Sequence, residues 1–389
     1  MARSLGERGI TVYALADRPQ RPVRASRHCH EFRALGPAGE VQSRWLAWLE
    51  QGPRGAVVLP CDDEGVELVA RCRARLVELG YVPIEADDEV LLAMLDKDRT
   101  NELARAAGVD TPTSLTIRDH ADLAVAIESL AFPSALKPLH SHHFQRSFGN
   151  VKAVTVHSRA ELETTMQQLL ALGLEMMATE FIPGPEHSYY GYYSYLDEHG
   201  EPLFHLTKQK LRQHPPGFGM GSYHVTRNEP EVAEIGLRFL QGVGVRGLAN
   251  VEFKRDARDG RLKLIECNHR FTAIDELLRF AGADLAWFTY NRLLGRPVPS
   301  VEGYRSERRL LYAIEDFRTC RELRRSGRLS YGQWAASLLH RQHFPLFSLR
   351  DPRPSIASLL WLAGRVLGRM GRAMPESRAA LSAPAPPRV

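Results

Sequence analysis

The chain has 389 residues, enough for two or three domains with real cores, and its composition is ordinary for a globular protein. Fifty-one basic side chains against 46 acidic ones leave a net charge of +5. That balance admits anionic small ligands, but without interleaved aromatic and basic residues it argues against a nucleic-acid partner. Five scattered cysteines without metal spacing, no opening signal peptide and no apolar run of membrane-spanning length predict a reduced, cytoplasmic chain.

Residues 2–9 read as a helix ending at Gly9, followed by a strand over 10–15. An α/β unit normally opens with a strand and a glycine-rich turn. The expectation is therefore that the chain starts late, through a misassigned start codon or a real truncation. A basic stretch over 18–30 precedes a helix at 43–50. A short buried strand over 55–60 delivers Asp62, Asp63 and Glu64 to the usual functional end of a parallel strand, and residues 65–80 form a helix. Together these make a small doubly wound domain.

A second unit begins near Asp87. Helices are expected over 88–94, from Lys97 to the stop at Gly108, and over 119–130. The strand 132–138 carries Lys137 in an apolar setting. A loop rich in His and Ser, residues 140–149, leads to a strand at 151–156, a helix at 158–172 and a strand at 175–181. The turn 182–186 is stiffened by two prolines, and strands follow at 188–196 and 202–207. Residues 208–222 read as a mobile basic loop, with Lys208, Lys210 and Arg212 placed to close over a phosphate or to meet a substrate carboxylate. A helix covers 230–242.

A hairpin then runs from Leu248 to Arg270, turning at Asp259-Gly260. Period-two alternation puts Glu266 and Asn268 about 7 Å apart on one face, with Leu262 and Leu264, and lets Glu252 face them from the partner strand. Two carboxylates and an amide oxygen suit a hard cation such as Mg2+, and Arg270 adds a fork for phosphate or carboxylate. Each of these residues taken alone reads as ordinary surface. Residues 273–294 and the basic stretch 301–343 read as helical. Residues 355–372 form an amphipathic helix with two open readings: packing on the protein's own core, or lying on an anionic membrane surface. The last residues, 374–389, read as disordered.

In order, Lys97 in Leu-Asp-Lys-Asp, Lys137 in Leu-Lys-Pro, the hinge from Glu180 to Glu186, Glu252 in Asn-Val-Glu-Phe and Glu-Cys-Asn-His-Arg at 266–270 resemble the ATP-grasp superfamily. Within it, the segment from Lys210 to Gly219 and Asp351-Pro-Arg-Pro resemble predicted carboxylate–amine ligases similar to D-aspartate ligases. The resemblance implies an α/β, α+β-grasp architecture: a pre-ATP-grasp Rossmann-like domain over 1–86 lacking its first strand, an ATP-grasp domain over 87–298 in two lobes (87–180 and 181–298), a helical extension over 299–373 and a tail over 374–389. It implies ATP as cofactor, held by Lys97, Lys137 and Lys208 at the phosphates, by Glu180, Phe181 and Ile182 at adenine and by Glu186 at ribose. It implies two Mg2+ ions, or Mn2+, on Glu252, Glu266 and Asn268. Arg270 would meet the transferring phosphoryl group, with Lys210 and Arg212 beside it. The activity implied is an ADP-forming ligase that joins a small-molecule carboxylate to an amine. Alternatives are a phosphotransferase or a nucleotide-binding scaffold. The loop 140–149 departs from the family's Gly- and Ser-rich pattern; its His140, His142 and His143 suit phosphate or an acidic substrate better than a closed metal site.

Overall fold

The computed structural model describes residues 1–36, 41–138, 154–217, 219–298, 301 and 303–371, with side chains of 41–42 and 365–371 excepted. The histidine loop 140–149 and the tail 374–389 lie outside the described residues.

Helix α1 (Ala2–Gly6) precedes a parallel strand pair, β1 (Tyr13–Ala16) and β2 (Glu31–Ala34). Helices α2 (Val41–Gln51) and α3 (Asp63–Glu78) follow. Asp62 starts α3 by accepting the Gly65 N–H at 2.9 Å, which satisfies one of the free donors of the first turn. The strand expected over 55–60 is reduced to a single bridge between Val57 and Val82. Asp87 and Asp96 cap α4 (Asp88–Leu95) and α5 (Lys97–Ala106) in the same way. Then come β3 (Ser114–Ile117), α6 (His120–Ser129), β4 (Ser134–Pro138), β5 (Val154–Val156), α7 (Arg159–Ala171) and β6 (Met176–Glu180). Their four strands form one sheet in the order β3-β6-β4-β5.

The rest builds a seven-stranded sheet. Its parts are β7 (Tyr189–Leu196), β8 (Pro202–His214), β9 (Met220–Thr226), α8 (Pro230–Val243), β10 (Gly247–Arg255), β11 (Leu262–Asn268), α9 (Asp275–Ala281), α10 (Leu285–Leu293), β12 (Arg309–Leu311), α11 (Ala313–Arg325), α12 (Tyr331–Ser337) and β13 (Gln342–His343). The order is β11-β10-β7-β8-β9-β12-β13, antiparallel except for the last pair. Helix α13 (Arg353–Gly371) ends the described chain.

The chain forms two compact units. One holds Met1, Pro37–Thr116 and Thr179–Pro345, and the other holds Ala2–Gly36, Ile117–Ala178 and Leu346 onward. In the first unit Val232, Phe239 and Leu240 of α8, with Met94 of α4 and Ala104 of α5, pack on Tyr192, Ala249, Val251, Phe253, Leu262 and Leu264. Burying these side chains removes one face of the sheet from water and is the main source of its stability. The alternate residues of β7 and β10 therefore point to the other face.

Three expectations are corrected here. Residues 208–214 are not loop but the second half of the 13-residue strand β8; the prolines and glycines that suggested a loop begin only at Pro215. Lys208, Lys210 and Arg212 are buried in that strand. They are tolerated because each finds a carboxylate, as a buried charge must. The stretch 301–343 is not all helix, since β12 and β13 extend the sheet. Finally, Leu262 and Leu264 do not share a face with Glu266. The pairing runs Glu252 to Glu266 and then Phe253 to Leu264, so Ile265 is an extra residue. Such a bulge inverts the alternation, sending Leu262, Leu264 and Cys267 into the core.

Arg212 ties β8 to the C-terminal extension. Its Nε and Nη2 donate to the two oxygens of the fully buried Asp316 at 2.9 and 2.8 Å, and its Nη1 donates to Ser337 Oγ at 2.9 Å. Ser222 Oγ and Trp334 Nε1 complete the shell of Asp316. Arg212→Ala would strand that carboxylate and is expected to cost on the order of 3–5 kcal/mol of unfolding free energy. Urea titration followed by circular dichroism measures it, and a loss within error would refute the clamp.

Candidate functional site

The polar face of the seven-stranded sheet is organised in cross-strand rows. One row runs Lys208 on β8, Gly191 on β7, Glu252 on β10 and Glu266 on β11, each in register with the next. Lys208 reaches across the intervening strand and donates to Glu252 Oε1 at 2.7 Å. It can do so because Gly191 has no side chain: a Cβ there would sit 2.4 Å from Lys208 Cε. Lys210, two residues along the same face, donates to Glu252 Oε2 at 3.3 Å.

Burial alone would raise the Glu252 carboxyl, but the Lys208 and Lys210 ammonium groups outweigh it and hold the carboxylate well below its usual range. Lys208 is 1% exposed, and burial pulls its ammonium down despite Glu252. Burial also opposes the charge on Lys210, but Glu252 and Glu266 together carry its pKa upward. Directly opposed carboxylates such as Glu252 and Glu266 repel, so cations of some kind are required between them.

The neighbouring row holds Lys210, Tyr189 and Lys254, with both ammonium groups over the Tyr189 ring at 4.6 and 4.7 Å from its centroid. On the other side, Asn250 pairs in register with Asn268. Asn268 Nδ2 donates to Glu266 Oε1 at 3.1 Å. Past the strand end, Arg270 donates to Asp63 Oδ1 at 2.6 Å; Asp63 opens α3, in the acidic run flagged by sequence. Glu252, Glu266 and Asn268 offer only oxygen donors, the set a hard divalent cation takes.

His224 is the residue that sequence reasoning missed. It lies on β9 in register with Lys210, 3% exposed. Its ring occupies the space above Gly221, where a Cβ would come within 2.1 Å of Cε1. Burial first, then Lys208 and Lys210, push its pKa well below the ordinary value, so it stands neutral in a field of cations, and its Nδ1 has no hydrogen-bond partner among the described residues. The available signal was the alternation of residues 220–226, which places His224 on the same face as Ser222.

The hinge is also held by side chains. Glu180 Oε1 accepts the Thr113 N–H at 3.0 Å, and Oε2 accepts Arg258 Nη1 at 2.8 Å. Burial works against its ionised form, but Arg258 and the Thr113 N–H lower its pKa. Ile182 is buried and Phe181 half-buried. Glu186 Oε1 accepts from the Gly217 N–H and from Arg328 at 3.0 and 3.2 Å, while its buried Oε2 has no partner among the described residues.

The structure thus brings together Lys208, Lys210, Glu252, Glu266 and Asn268, with Arg270 beyond the strand end. Arg212 is not among them, being committed to Asp316. Lys97 is exposed in the first turn of α5, and Lys137 lies on β4 in the other compact unit.

No family model matches the chain. It is 26% identical over 251 residues to a D-aspartate ligase of Enterococcus faecium, covering 62% of this chain and 59% of that protein. It is also 26% identical over 183 residues to a D-alanine–D-alanine ligase of Neisseria meningitidis serogroup B, covering 45% and 57%. The chain therefore spans somewhat under three fifths of the length of these relatives. Among solved structures, a biotin carboxylase from Campylobacter jejuni superposes with a TM-score of 0.60 at 16% identity, over 79% of this chain and 71% of that one. The chain has the ATP-grasp fold. An N5-carboxyaminoimidazole ribonucleotide synthetase in its ADP complex, with a TM-score of 0.59 at 14% identity over 79% and 77%, shares the ATP-grasp fold.

The row through Gly191 is open to direct test. Gly191→Ala overpacks it and is expected to destabilise the fold by about 1–3 kcal/mol. The double variant Gly191→Ala/Lys208→Ala, which removes the clashing stem, should show a non-additive effect in a urea double-mutant cycle. Additivity would mean that Gly191 and Lys208 are not coupled.

Proposed function

We propose that the protein is an ATP- and divalent-cation-dependent ligase that activates a small-molecule carboxylate and joins it to an amine, releasing ADP and phosphate. The observation carrying this reading is the Lys208–Glu252–Glu266 row with Asn268 beside it and Arg270 beyond. A strand pair that opposes two carboxylates and surrounds them with buried ammonium groups is suited to a polyphosphate and its cation. It has no evident use in a scaffold.

In the proposed reaction a substrate carboxylate oxygen attacks the γ-phosphorus of ATP and ADP leaves. The amine nitrogen then attacks the acyl carbon, phosphate leaves with the C–O bond electrons, and the nitrogen loses a proton. Glu252, Glu266 and Asn268 would hold two Mg2+ ions, or Mn2+. When bound, these neutralise charge on the terminal phosphates. Lys208 and Lys210, fixed by Glu252, present positive charge at a set position, so little reorganisation is needed as charge shifts. Arg270, now on the exposed Asp63, is proposed to exchange that partner for the transferring phosphoryl group. The Glu180 carboxylate is committed to Thr113 and Arg258, so adenine is assigned to the main chain of Phe181 and Ile182. The unpartnered Glu186 Oε2 is assigned to a ribose hydroxyl. Lys97 and Lys137 are assigned to the α- and β-phosphates. The domain limits proposed with this reading are 1–86, 87–298 and 299–373. The D-aspartate and D-alanine–D-alanine ligases to which the chain is similar favour an amino-acid carboxylate as substrate class.

The test is ADP release from ATP and Mg2+ in the presence of a library of D- and L-amino acids. Wild-type protein should release ADP only with particular carboxylate and amine pairs. Glu266→Ala and Asn268→Ala should each lower the rate at least ~10-fold and raise the Mg2+ concentration needed for half-maximal rate. ADP without an amide product would indicate a phosphotransferase. ATP binding unaffected by Glu266→Ala, without turnover, would indicate a scaffold.

A further inference from the structure

Helix α13 is seated with most of its described large apolar side chains away from the protein. Pro354 is buried and Ser355, Ser358 and Leu362 are half-buried. By contrast Ile356, Leu359 and Leu360, at helical spacing on one stripe, are 52%, 59% and 68% exposed. Just before the helix, Phe347 and Leu349 are 54% and 85% exposed.

The seating is fixed at the helix root. The buried Asp351 carboxylate accepts from Ser26 Oγ at 2.7 Å, the Arg27 N–H at 3.0 Å and Arg3 Nε at 3.1 Å, and Ser355 Oγ donates to the Leu346 carbonyl at 2.7 Å. Turning the apolar stripe inward would break this set and leave Asp351 unpaired in the interior. The outward stripe is therefore part of the fold. Among the described residues no helix is long and apolar enough to cross a membrane.

Charge near the helix root is predominantly positive. Residues 2–36 and 346–364, which lie in the same compact unit, carry nine arginines, no lysine and four carboxylates. That surplus matches the +5 of the whole chain, and one of the four carboxylates is the buried Asp351. Arg24 and Arg27 in the segment packed at the helix root, and Arg350 and Arg353 at its start, are exposed. Helix α13 itself contains no acidic residue.

We propose that α13, with the arginines at its root, docks the protein flat on an anionic lipid bilayer. Apolar burial at the acyl boundary and attraction to anionic headgroups act together in such a helix. A second copy of the chain is the weaker occupant, because two faces of the same strong positive charge repel.

The experiment is co-sedimentation of the full chain with vesicles of phosphatidylcholine alone or with about a third phosphatidylglycerol. Binding is expected to the anionic vesicles and to fall steeply as salt rises. The double variant Leu359→Asp/Leu360→Asp alters only exposed side chains and should fold as wild type by circular dichroism, yet weaken vesicle binding at least ~10-fold. Arg350→Glu/Arg353→Glu should weaken it by a similar factor, at about 1 kcal/mol per basic residue removed. Three outcomes overturn the proposal: no vesicle binding, binding unchanged in the leucine variant, or lipid-free self-association abolished by that variant. None depends on whether the protein releases ADP.

Discussion

The reach of Lys208 over Gly191 to Glu252 is the constraint on which the polar face of the large sheet depends. One strand separates the partners, and only a glycine in that strand lets a lysine stem pass. Once the pair exists, other features follow. Glu252 stays ionised although buried, a second ammonium at Lys210 is tolerated beside the first, and His224 is kept neutral by burial and by the cations around it. Glu266, directly across from Glu252, is then at the edge of a charged cluster instead of on a plain solvated strand.

The opposite face of the same strands is governed by different physics. Val251, Phe253, Leu262 and Leu264 pack under α8 and make the sheet rigid, and the bulge at Ile265 reconciles the two faces. Without that extra residue, Glu266 and Asn268 would share a face with Leu262 and Leu264. Either the carboxylate would enter the core or the leucines would be exposed. The bulge therefore lets one short strand both fill the core and supply oxygen donors. Arg212, one step beyond the lysines, illustrates how little residue type alone decides: the lysines face the site, whereas its guanidinium donates to Asp316 and Ser337 of the C-terminal extension.

Much of the fold was legible from local signals. Helices with an Asp or Ser cap or an opening proline, a glycine stop and apolar periodicity appear within a few residues of their expected limits, as α3, α5, α7 and α8 do, because capping and amphipathicity are short-range. The hairpin and its Glu252, Glu266, Asn268 and Arg270 were legible because polar residues in an apolar run stand out, and because their order resembles a known superfamily. Strand β8 was not legible. Buried lysines contradict strand patterning unless the carboxylate that neutralises them is known, and that carboxylate lies some forty residues downstream. The short edge strands β12 and β13 were missed for a related reason, since so few residues carry no periodicity and only a neighbouring edge defines them.

By itself, then, the sequence determined most of the element types, a resemblance to the ATP-grasp superfamily and the hard-oxygen donors of the hairpin, all of which rest on spacing within a short stretch of chain. Tertiary structure alone decided which charges neutralise one another: Lys208 with Glu252, Arg212 with Asp316, Arg270 with Asp63, Asp351 with Arg3. It also decided that Gly191 and Gly221 are empty spaces for particular side chains and that the apolar stripe of α13 faces outward. The physical reason is common to all of these. A buried charge or a missing Cβ has meaning only relative to its partner, and chain folding brings that partner from a distant part of the sequence.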